Sequence, residues 1–446
     1  MKTHHALLAL SLASSLVIAP TIAAEDFLSG DGFSFDSSEI EVSEPHWTDG
    51  FKTTLEHSHT QIPGDPNRSQ SSVQLVYEGN LAEGWYLKLD TRYRYFYEDD
   101  DLAERRGGAY GKNKWQRAWL QYSKASCTAT AGRQTLIWGT VEGTFVTDIV
   151  TPFDYTEQLL TDYGNVRLPQ DMLVGECFLP VGQLQAFYTP EARTDIFQHH
   201  RLRVEFAPGF PPADLSIEAG EEFGLRYKWH GSKVDLSVMA ARLYDNTVTP
   251  VYFGPSMDST NSGGSPLAAL LGPAILAVTG TPDFGLRPEL ARFDLVGMAT
   301  SIALGRLLLK AEVAHRDHQL VAISGEHTER VDAAFGFEYT TSGNHLFNAG
   351  IWGTHYSNDS VEDDDTQIFT VGWRKTYLND DLTMSLLGNW SSSPRFAGAT
   401  VLAEYQWNDY WNTALALSVA DLSELEFDIP ILPAEESATV SIKYEF

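Results

Sequence analysis

Ala438-Thr439-Val440-Ser441-Ile442-Lys443-Tyr444-Glu445-Phe446 closes the chain. Ala438, Val440, Ile442, Tyr444 and Phe446 alternate without a break with Thr439, Ser441, Lys443 and Glu445. Successive side chains of a strand point to opposite faces, so a period of two predicts a strand with one apolar and one polar face. A soluble sandwich would bury the apolar face against a second sheet, whereas a membrane barrel turns it to lipid and sets the polar face toward a lumen. The rest of the chain decides between the two.

Its texture is the same throughout. Segments of about ten residues with alternating polarity, rich in Tyr, Trp and Phe, are separated by clusters of Gly, Asp, Asn and Ser. Phe51 to His59, Gln70 to Asn80 and Trp85 to Tyr97 read as the first three strands, joined by a longer link and then by the tight Leu81-Ala82-Glu83-Gly84. Short links recur at Lys124-Ala125, Pro180-Val181-Gly182, Gly231-Ser232, Leu304-Gly305, Ser342-Gly343-Asn344, Asn379-Asp380 and Asn408-Asp409. Long ones fall between them, among them Glu98 to Asn113, Gly139 to Gln170, Glu191 to Gly220 and Asp245 to Glu289. Short periplasmic turns and longer extracellular loops impose such a rhythm on a bacterial outer-membrane barrel. The expected fold class is all-β, a transmembrane antiparallel up-and-down barrel of about eighteen strands (roughly 16–18), wide enough to leave an aqueous lumen. The closing strand also resembles the C-terminal signature read by the barrel assembly machinery, which implies that machinery as a partner through Phe446.

The other end of the chain sets the compartment. Lys2, an apolar run from Ala6 to Ala19, the small residues of Thr21-Ile22-Ala23-Ala24 and then Glu25-Asp26 have the order of a secretory signal peptide. The run is too short to span as a helix. The expected organisation is a signal peptide over 1–24, a periplasmic segment over 25–50 and a barrel over 51–446, in the outer membrane of a Gram-negative cell, where lipid and lipopolysaccharide surround it. A formal charge of −29 disfavours nucleic acid as a partner, because a phosphate backbone would be repelled. Cys127 and Cys177 suit an oxidising compartment; a disulfide and two unpaired wall residues are both compatible with the sequence, which does not show whether the two approach each other.

Period two splits each strand into an outward and an inward set. Trp85, Leu87, Leu89, Tyr93 and Tyr95 outward leaves Lys88, Asp90, Arg92 and Arg94 for the lumen. In the eighth strand Phe223, Leu225, Tyr227 and Trp229 outward leaves Arg226 and Lys228. In the eleventh, Leu307, Leu309, Ala311 and Val313 leave Arg306, Lys310, Glu312 and Arg316. Arg117 and Arg374 fall inward too, as do the acids Glu56, Asp332, Glu338 and Glu404. A charge on the lipid face near the midplane costs about 2–4 kcal/mol, which drives these side chains inward. A lumen with so many Arg and Lys residues favours anions, with an ordinary hydrated wall of mixed charges as the alternative.

The loops carry less chemistry. Acidic clusters at Glu98-Asp99-Asp100-Asp101 and Glu362-Asp363-Asp364-Asp365 lack the spacing of an EF-hand. His57 and His59 share a strand face and His199-His200 lie in a loop, without a metal-ligand spacing, so no metal site and no cofactor is proposed. No G-x-S-x-G occurs, and His315, Asp317 and Ser324 read as unrelated rim residues, so an enzyme is not expected. The long link Gly139 to Gln170 differs, since Phe145, Ile149, Pro152, Phe153, Tyr155 and Leu159-Leu160 are too apolar for a solvated loop. It is expected to fold over or into the lumen as a constriction or ligand platform, carried by Phe145, Asp148, Phe153, Asp154 and Tyr155. Ala268 to Val278 is a second candidate for a plug or lip.

Gly132-Arg133-Gln134, followed by Trp138-Gly139 and by Asp148-Ile149-Val150-Thr151-Pro152-Phe153-Asp154, resembles the motif of a proteobacterial outer-membrane barrel family catalogued as domain of unknown function 1302, and more distantly the alginate-export porins. In those families a G-R-Q-x-x-x-W-G strand leads into an N-P-x-D loop element; here Thr151 stands in place of Asn. The resemblance implies transport across the outer membrane, and its alginate relatives imply an anionic polymer in a basic lumen. The expected function is a porin-like channel for passive passage of small-molecule or polysaccharide solutes. A loop-based binding or receptor protein, or a gated transporter of hydrophobic organic molecules, is the alternative. An energised receptor is disfavoured because only about 25 residues separate the signal from Phe51, too few for a plug domain.

Overall fold

The structure is a computed structural model and describes residues 50–64, 67–154, 166–196, 219–253, 285–321, 325–357, 366–392, 395–421 and 436–446. The signal peptide, nearly all of the segment over 25–50, Tyr155, Leu159-Leu160, His199-His200, Ala268 to Val278, Ser324 and the acidic cluster at 362–365 lie outside the described residues.

Alternation in the sequence becomes strands β1 (Phe51–Gln61), β2 (Arg68–Ala82), β3 (Trp85–Phe96), β4 (Tyr110–Lys124), β5 (Cys127–Gln134), β6 (Gln170–Phe178), β7 (Gln183–Thr189), β8 (Glu222–His230) and β9 (Val234–Tyr244). After the pair β10 (Thr249–Phe253) and β11 (Gly285–Glu289) come β12 (Arg292–Leu304), β13 (Leu307–Leu320), β14 (His327–Thr340), β15 (Leu346–Tyr356), β16 (Thr366–Tyr377), β17 (Leu382–Ser392), β18 (Arg395–Gln406), β19 (Trp411–Asp421) and β20 (Glu436–Glu445). Each strand pairs antiparallel with its neighbour in sequence, β9 pairs with β12, and β20 returns to β1, with Leu55 opposite Tyr444 and His57 opposite Ile442. The result is a closed antiparallel barrel of 18 strands, which leaves no sheet edge unpaired. The pair β10–β11 stands apart as its own two-stranded sheet inside the long β9–β12 connection.

The faces divide as the period dictates. On β20, Val440 and Ile442 are exposed outward while Ser437, Thr439 and Ser441 are buried inward. Phe51, Trp85, Trp229, Tyr339, Tyr377, Trp407, Tyr410, Trp411 and Phe446 stay exposed near the short-turn end, where amphipathic rings suit a membrane interface. Phe446 extends the closure, exchanging backbone hydrogen bonds with Thr53 at 2.8 and 3.0 Å. No described helix is long and apolar enough to span a membrane.

Two features of the wall were open or unreadable in the sequence. Cys127 and Cys177 face each other across β5–β6 and form a disulfide, Cα to Cα 4.1 Å. In β4 the register to β3 shifts between Asp90 and Thr91, so Asp90 opposes Arg117 while Thr91 opposes Trp115. The extra residue, Gln116, is buried. That bulge lets Lys112, Lys114 and Arg117 share the inner face, which an unbroken period of two would forbid. In the acidic cluster before β4, Asp100 is buried: it caps the short helix α1 (Asp101–Arg106), accepting from the Leu102 N–H at 2.9 Å and the Ser69 N–H at 2.7 Å.

Candidate functional site

The β5–β6 connection lies inside the barrel. Its route begins in β5, where Gly132 takes φ +123° and sits so close to β4 that a Cβ would meet the Ala118 carbonyl oxygen at 2.3 Å. Thr151, fully buried, closes the segment's neck. Its Oγ1 accepts from the Leu136 N–H at 2.8 Å and donates to the Leu136 carbonyl at 3.0 Å.

From the neck the segment follows the inner wall from β4 round to β14. Trp138 donates its Nε1 hydrogen to Gln185 on β7 at 2.9 Å and stacks edge-on against Phe187. Its ring reaches β8 only because Gly224 has no side chain, for a Cβ there would lie 2.7 Å from the indole. Glu312 on β13 receives the backbone N–H groups of Thr140, Val141 (2.6 Å) and Thr147 (3.2 Å), and the Thr147 hydroxyl at 2.7 Å. Glu142 pairs with Lys310, which also pairs with Glu338 of β14. Further on, Ile149 accepts from Asn246 at 2.9 Å and Val150 from Gln170 at 2.6 Å. The Phe153 N–H donates to Asp195 at 2.7 Å, and Asp154 reaches Lys114 of β4 at 3.3 Å.

Apolar packing accompanies these bonds. Leu136, Trp138, Val141, Val146, Ile149, Val150 and Phe153 share one buried cluster with inward residues of β6, β7, β9 and β12 to β14, such as Met172, Phe187, Leu243, Leu295 and Ala334. The cluster continues over Trp352, Ile368 and Phe396. A segment that would be too apolar for solvent thus has a core of its own inside the lumen.

The cations expected in the lumen divide into two groups. Arg226 donates to the carbonyls of Ile137 at 3.2 Å and Trp138 at 3.3 Å, and Arg316 donates to the carbonyl of Phe145 at 2.7 Å; both therefore hold the segment, as Lys310 does. Arg92 pairs with Glu56 at 2.8 Å, Lys88 with Glu78 at 2.7 Å, and Arg94 is buried beside Phe96. Arg117, Lys228 and Arg374 lie on inward positions with no ion pair within 4 Å among the described residues. Arg306 corrects the expectation: it stands exposed in the Gly305-Arg306 turn, because β13 begins one residue later and Leu308 takes the first inward position.

Of the segment's own residues, Phe145 and Phe153 pack edge-to-face at 5.1 Å, and Asp148 forms a two-pronged pair with Arg167, which lies over the Phe153 ring at 5.0 Å. Charges also stand on the outer face at the long-loop end, where Arg133 pairs with Asp171 at 2.7 Å and Arg242 with Asp294 at 2.6 Å, outside the stretch where an unpaired charge would meet hydrocarbon. His315 pairs with Glu329 on that outer face, and the Asp317 carboxylate accepts from the Asp294 N–H at 2.5 Å. Sequence reading missed Lys112, Lys114, Glu142, Arg167, Asp195, Arg330 and Trp352. Arg330 and Trp352 were legible from parity, Arg330 with Asp332 on β14 and Trp352 with Thr354 on β15, whereas the others depend on the bulge or on loop placement.

No family model matches the chain, and no curated protein is similar to it in sequence. Solved structures do resemble it. OpdK of Pseudomonas aeruginosa, solved with vanillate, superposes with a TM-score of 0.52 at 11% identity, covering 89% of this chain and 98% of that one. OccAB3 of Acinetobacter baumannii gives 0.50 at 10% identity over 89% and 98%. OccK3 of P. aeruginosa gives 0.51 at 7% identity over 89% and 95%. At these identities the likeness is one of fold: this chain is a closed 18-stranded antiparallel barrel that superposes on those outer-membrane barrels.

Proposed function

We propose that this protein is a passive outer-membrane channel for small solutes, narrowed by the β5–β6 segment. The observation that carries the reading is the seating of that segment along the inner wall by Glu312, Lys310, Arg316 and Arg226. An 18-stranded barrel is otherwise wide enough for water, so such a segment sets what passes. Passage of a folded or bulky polymer fits this geometry less well than passage of small molecules. The motif from Gly132 to Asp154, through which the chain resembles the uncharacterised barrel family and the alginate-export porins, supplies the turns and contacts that seat the segment.

Anion preference is the finer part of the reading. Arg117, Lys228 and Arg374, in no ion pair within 4 Å among the described residues, favour anions modestly, while the buried cations are neutralised by acids or committed to carbonyls. Signal cleavage near Ala24, engagement of the assembly machinery through Phe446 and contact with lipopolysaccharide belong to the same proposal. Single-channel current in a planar bilayer under a salt gradient tests it. Steady conductance with a reversal potential shifted toward anions is expected; folded protein without conductance would overturn the channel reading in favour of a loop-based binder.

A further inference from the structure

The outer face of the barrel carries a polar cluster beside the β14–β15 turn. On β16, Phe369, Val371, Trp373, Lys375 and Tyr377 share the outward parity, opposite the inward Ile368 and Arg374. Phe347 of β15 lies across from Trp373, and His345, just before that strand, reaches both Trp373 and Lys375. The Trp373 Nε1 hydrogen is donated to the His345 Nδ1 at 3.1 Å, and the Lys375 Nζ lies 2.9 Å from the His345 Nε2. The Phe347 ring is nearly parallel to the imidazole, and the Lys375 ammonium sits over the Tyr377 ring at 5.1 Å.

A count of protons exposes a mismatch in this cluster. An indole nitrogen and an ammonium can only donate, so both neighbours ask the imidazole for an acceptor. A neutral imidazole has one acceptor nitrogen and one N–H, and a protonated one has no acceptor at all. With Trp373 satisfied at Nδ1, the His345 Nε2 carries its hydrogen and meets the Lys375 ammonium donor against donor. Lys375 is in no ion pair within 4 Å among the described residues. The acid of the following turn, Asp380, accepts from the Thr376 hydroxyl at 2.7 Å, and Thr376 belongs to the opposite face of β16. Two donors side by side, one of them charged, are relieved by a single anion that accepts from both.

The position of the cluster selects the anion. It lies on the same face as the exposed Phe369 and Val371, close to the short-turn end where Tyr339 and Tyr377 are exposed, the level at which lipid headgroups meet a barrel. We infer that His345 and Lys375 bind the phosphate of an anionic phospholipid of the periplasmic leaflet. Lys375 supplies the charge and the His345 Nε2 hydrogen the direction, while Trp373 acts as a positioning residue that fixes the tautomer. Val371 and Phe369, farther from the turn, offer the apolar surface that the acyl chains need.

The test titrates the folded, detergent-solubilised protein with dioleoyl-phosphatidylglycerol and counts bound lipid by native mass spectrometry, with dioleoyl-phosphatidylcholine as the comparator of equal chain length. Heat-modifiable electrophoretic mobility establishes that each variant is folded. Lys375→Gln should weaken phosphatidylglycerol binding about fivefold, the worth of one cation at an anionic lipid surface. Lys124→Gln, which removes an exposed outer-face lysine at another short turn, should leave it unchanged. Trp373→Phe is the sharper probe. It keeps a ring but removes the N–H, so the hydrogen can move to the His345 Nδ1, Nε2 can accept from Lys375, and the cluster closes on itself. Binding should then fall about two- to threefold although neither phosphate-binding side chain has changed.

Undiminished binding in Lys375→Gln or in Trp373→Phe would overturn the assignment. So would equal affinity for phosphatidylcholine, or displacement of the lipid by millimolar inorganic phosphate, which would make the site one for a soluble anion. Should Lys375→Gln fail to fold, His345→Gln replaces it with the same expected loss. The inference rests on the outer-membrane part of the proposed function and not on conduction. A protein that holds the lipid but does not conduct keeps this site and loses the channel, and conduction without lipid selectivity does the reverse.

Discussion

The two halves of the lumen are built from different chemistry. From β4 round to β14 the inner wall carries Lys114, Arg226, Lys310, Glu312, Arg316, Arg330 and Asp332, and the β5–β6 segment lies on it. From β17 through β20 to β2 the inner wall is mostly small and neutral. There Ser391, Ser418, Thr439, Ser441, Thr54, Ser58, Thr60 and Ser72 are buried, and Thr60 and Thr439 hydrogen-bond across β1–β20 at 2.8 Å. The contrast teaches that where the segment lies, inward charge such as Arg226, Lys310, Glu312 and Arg316 is spent on anchoring it. Where a segment must be held, its exposed N–H and C=O groups need acceptors and donors, and the wall supplies them; where nothing is held, hydroxyls suffice.

Removing the segment is the harshest way to break the comparison. Replacing Thr140–Thr151 by a short Gly-Ser turn makes both halves bare, and single-channel conductance should rise several-fold; unchanged conductance would mean that the segment does not narrow the path. Glu312→Ala is a smaller cut. It strips the acceptor from three backbone N–H groups and a hydroxyl, weakening the seating by about 3 kcal/mol, and should appear as rapid current flicker with a higher open level. A matching change on the neutral half, Thr439→Val, should cost under about 1 kcal/mol and leave the current record steady.

Charge reversal sharpens the contrast without unseating anything. Lys228→Glu and Arg374→Glu should move the reversal potential toward cations, by about twofold in permeability ratio at 0.1 M salt because screening acts over about 10 Å. Reversal of the buried, committed Arg226 would instead disturb conductance level. The smallest effect concerns pH. Burial raises the Glu142 carboxyl to about 7, with Glu338 adding to the rise and Lys310 opposing it. A released segment would return Glu142 to its ordinary 4.5, so the seated state takes up the proton more readily. Seating is then strongest below that lower value and weakens as pH rises to about 7. Flicker should increase over this window, by no more than about tenfold per pH unit for one proton, and Glu142→Gln should abolish the dependence.

Much of the fold was legible because a strand's face is a local property. Trp85 to Phe96 could be sorted into lipid and lumen sides from parity alone, and the structure buries Asp90, Arg92 and Arg94 on one side while exposing Tyr93 and Tyr95 on the other. Parity failed where a turn or a bulge interrupts it. Arg306 was assigned to the lumen by counting back from Lys310 across a strand boundary. Lys114 and Arg117 share a face only through the bulge at Gln116, which no count of two contains. The apolar residues of the β5–β6 connection announced that it packs against something, without saying against what.

By itself the sequence determined the barrel, the positions of its turns and the two faces of each strand, because covalent geometry turns a period of two directly into sides. Tertiary structure alone decided what the inward charges do. Glu312 meets the Thr140 N–H across 172 positions of chain, Lys310 meets Glu142 across 168, and Arg226 meets Trp138 across 88. Contacts at such separations leave no local pattern, since they depend on how a closed ring brings a loop from one strand pair against the inner faces of others. The same closure sets Trp352 of β15 beside Phe145 of the segment.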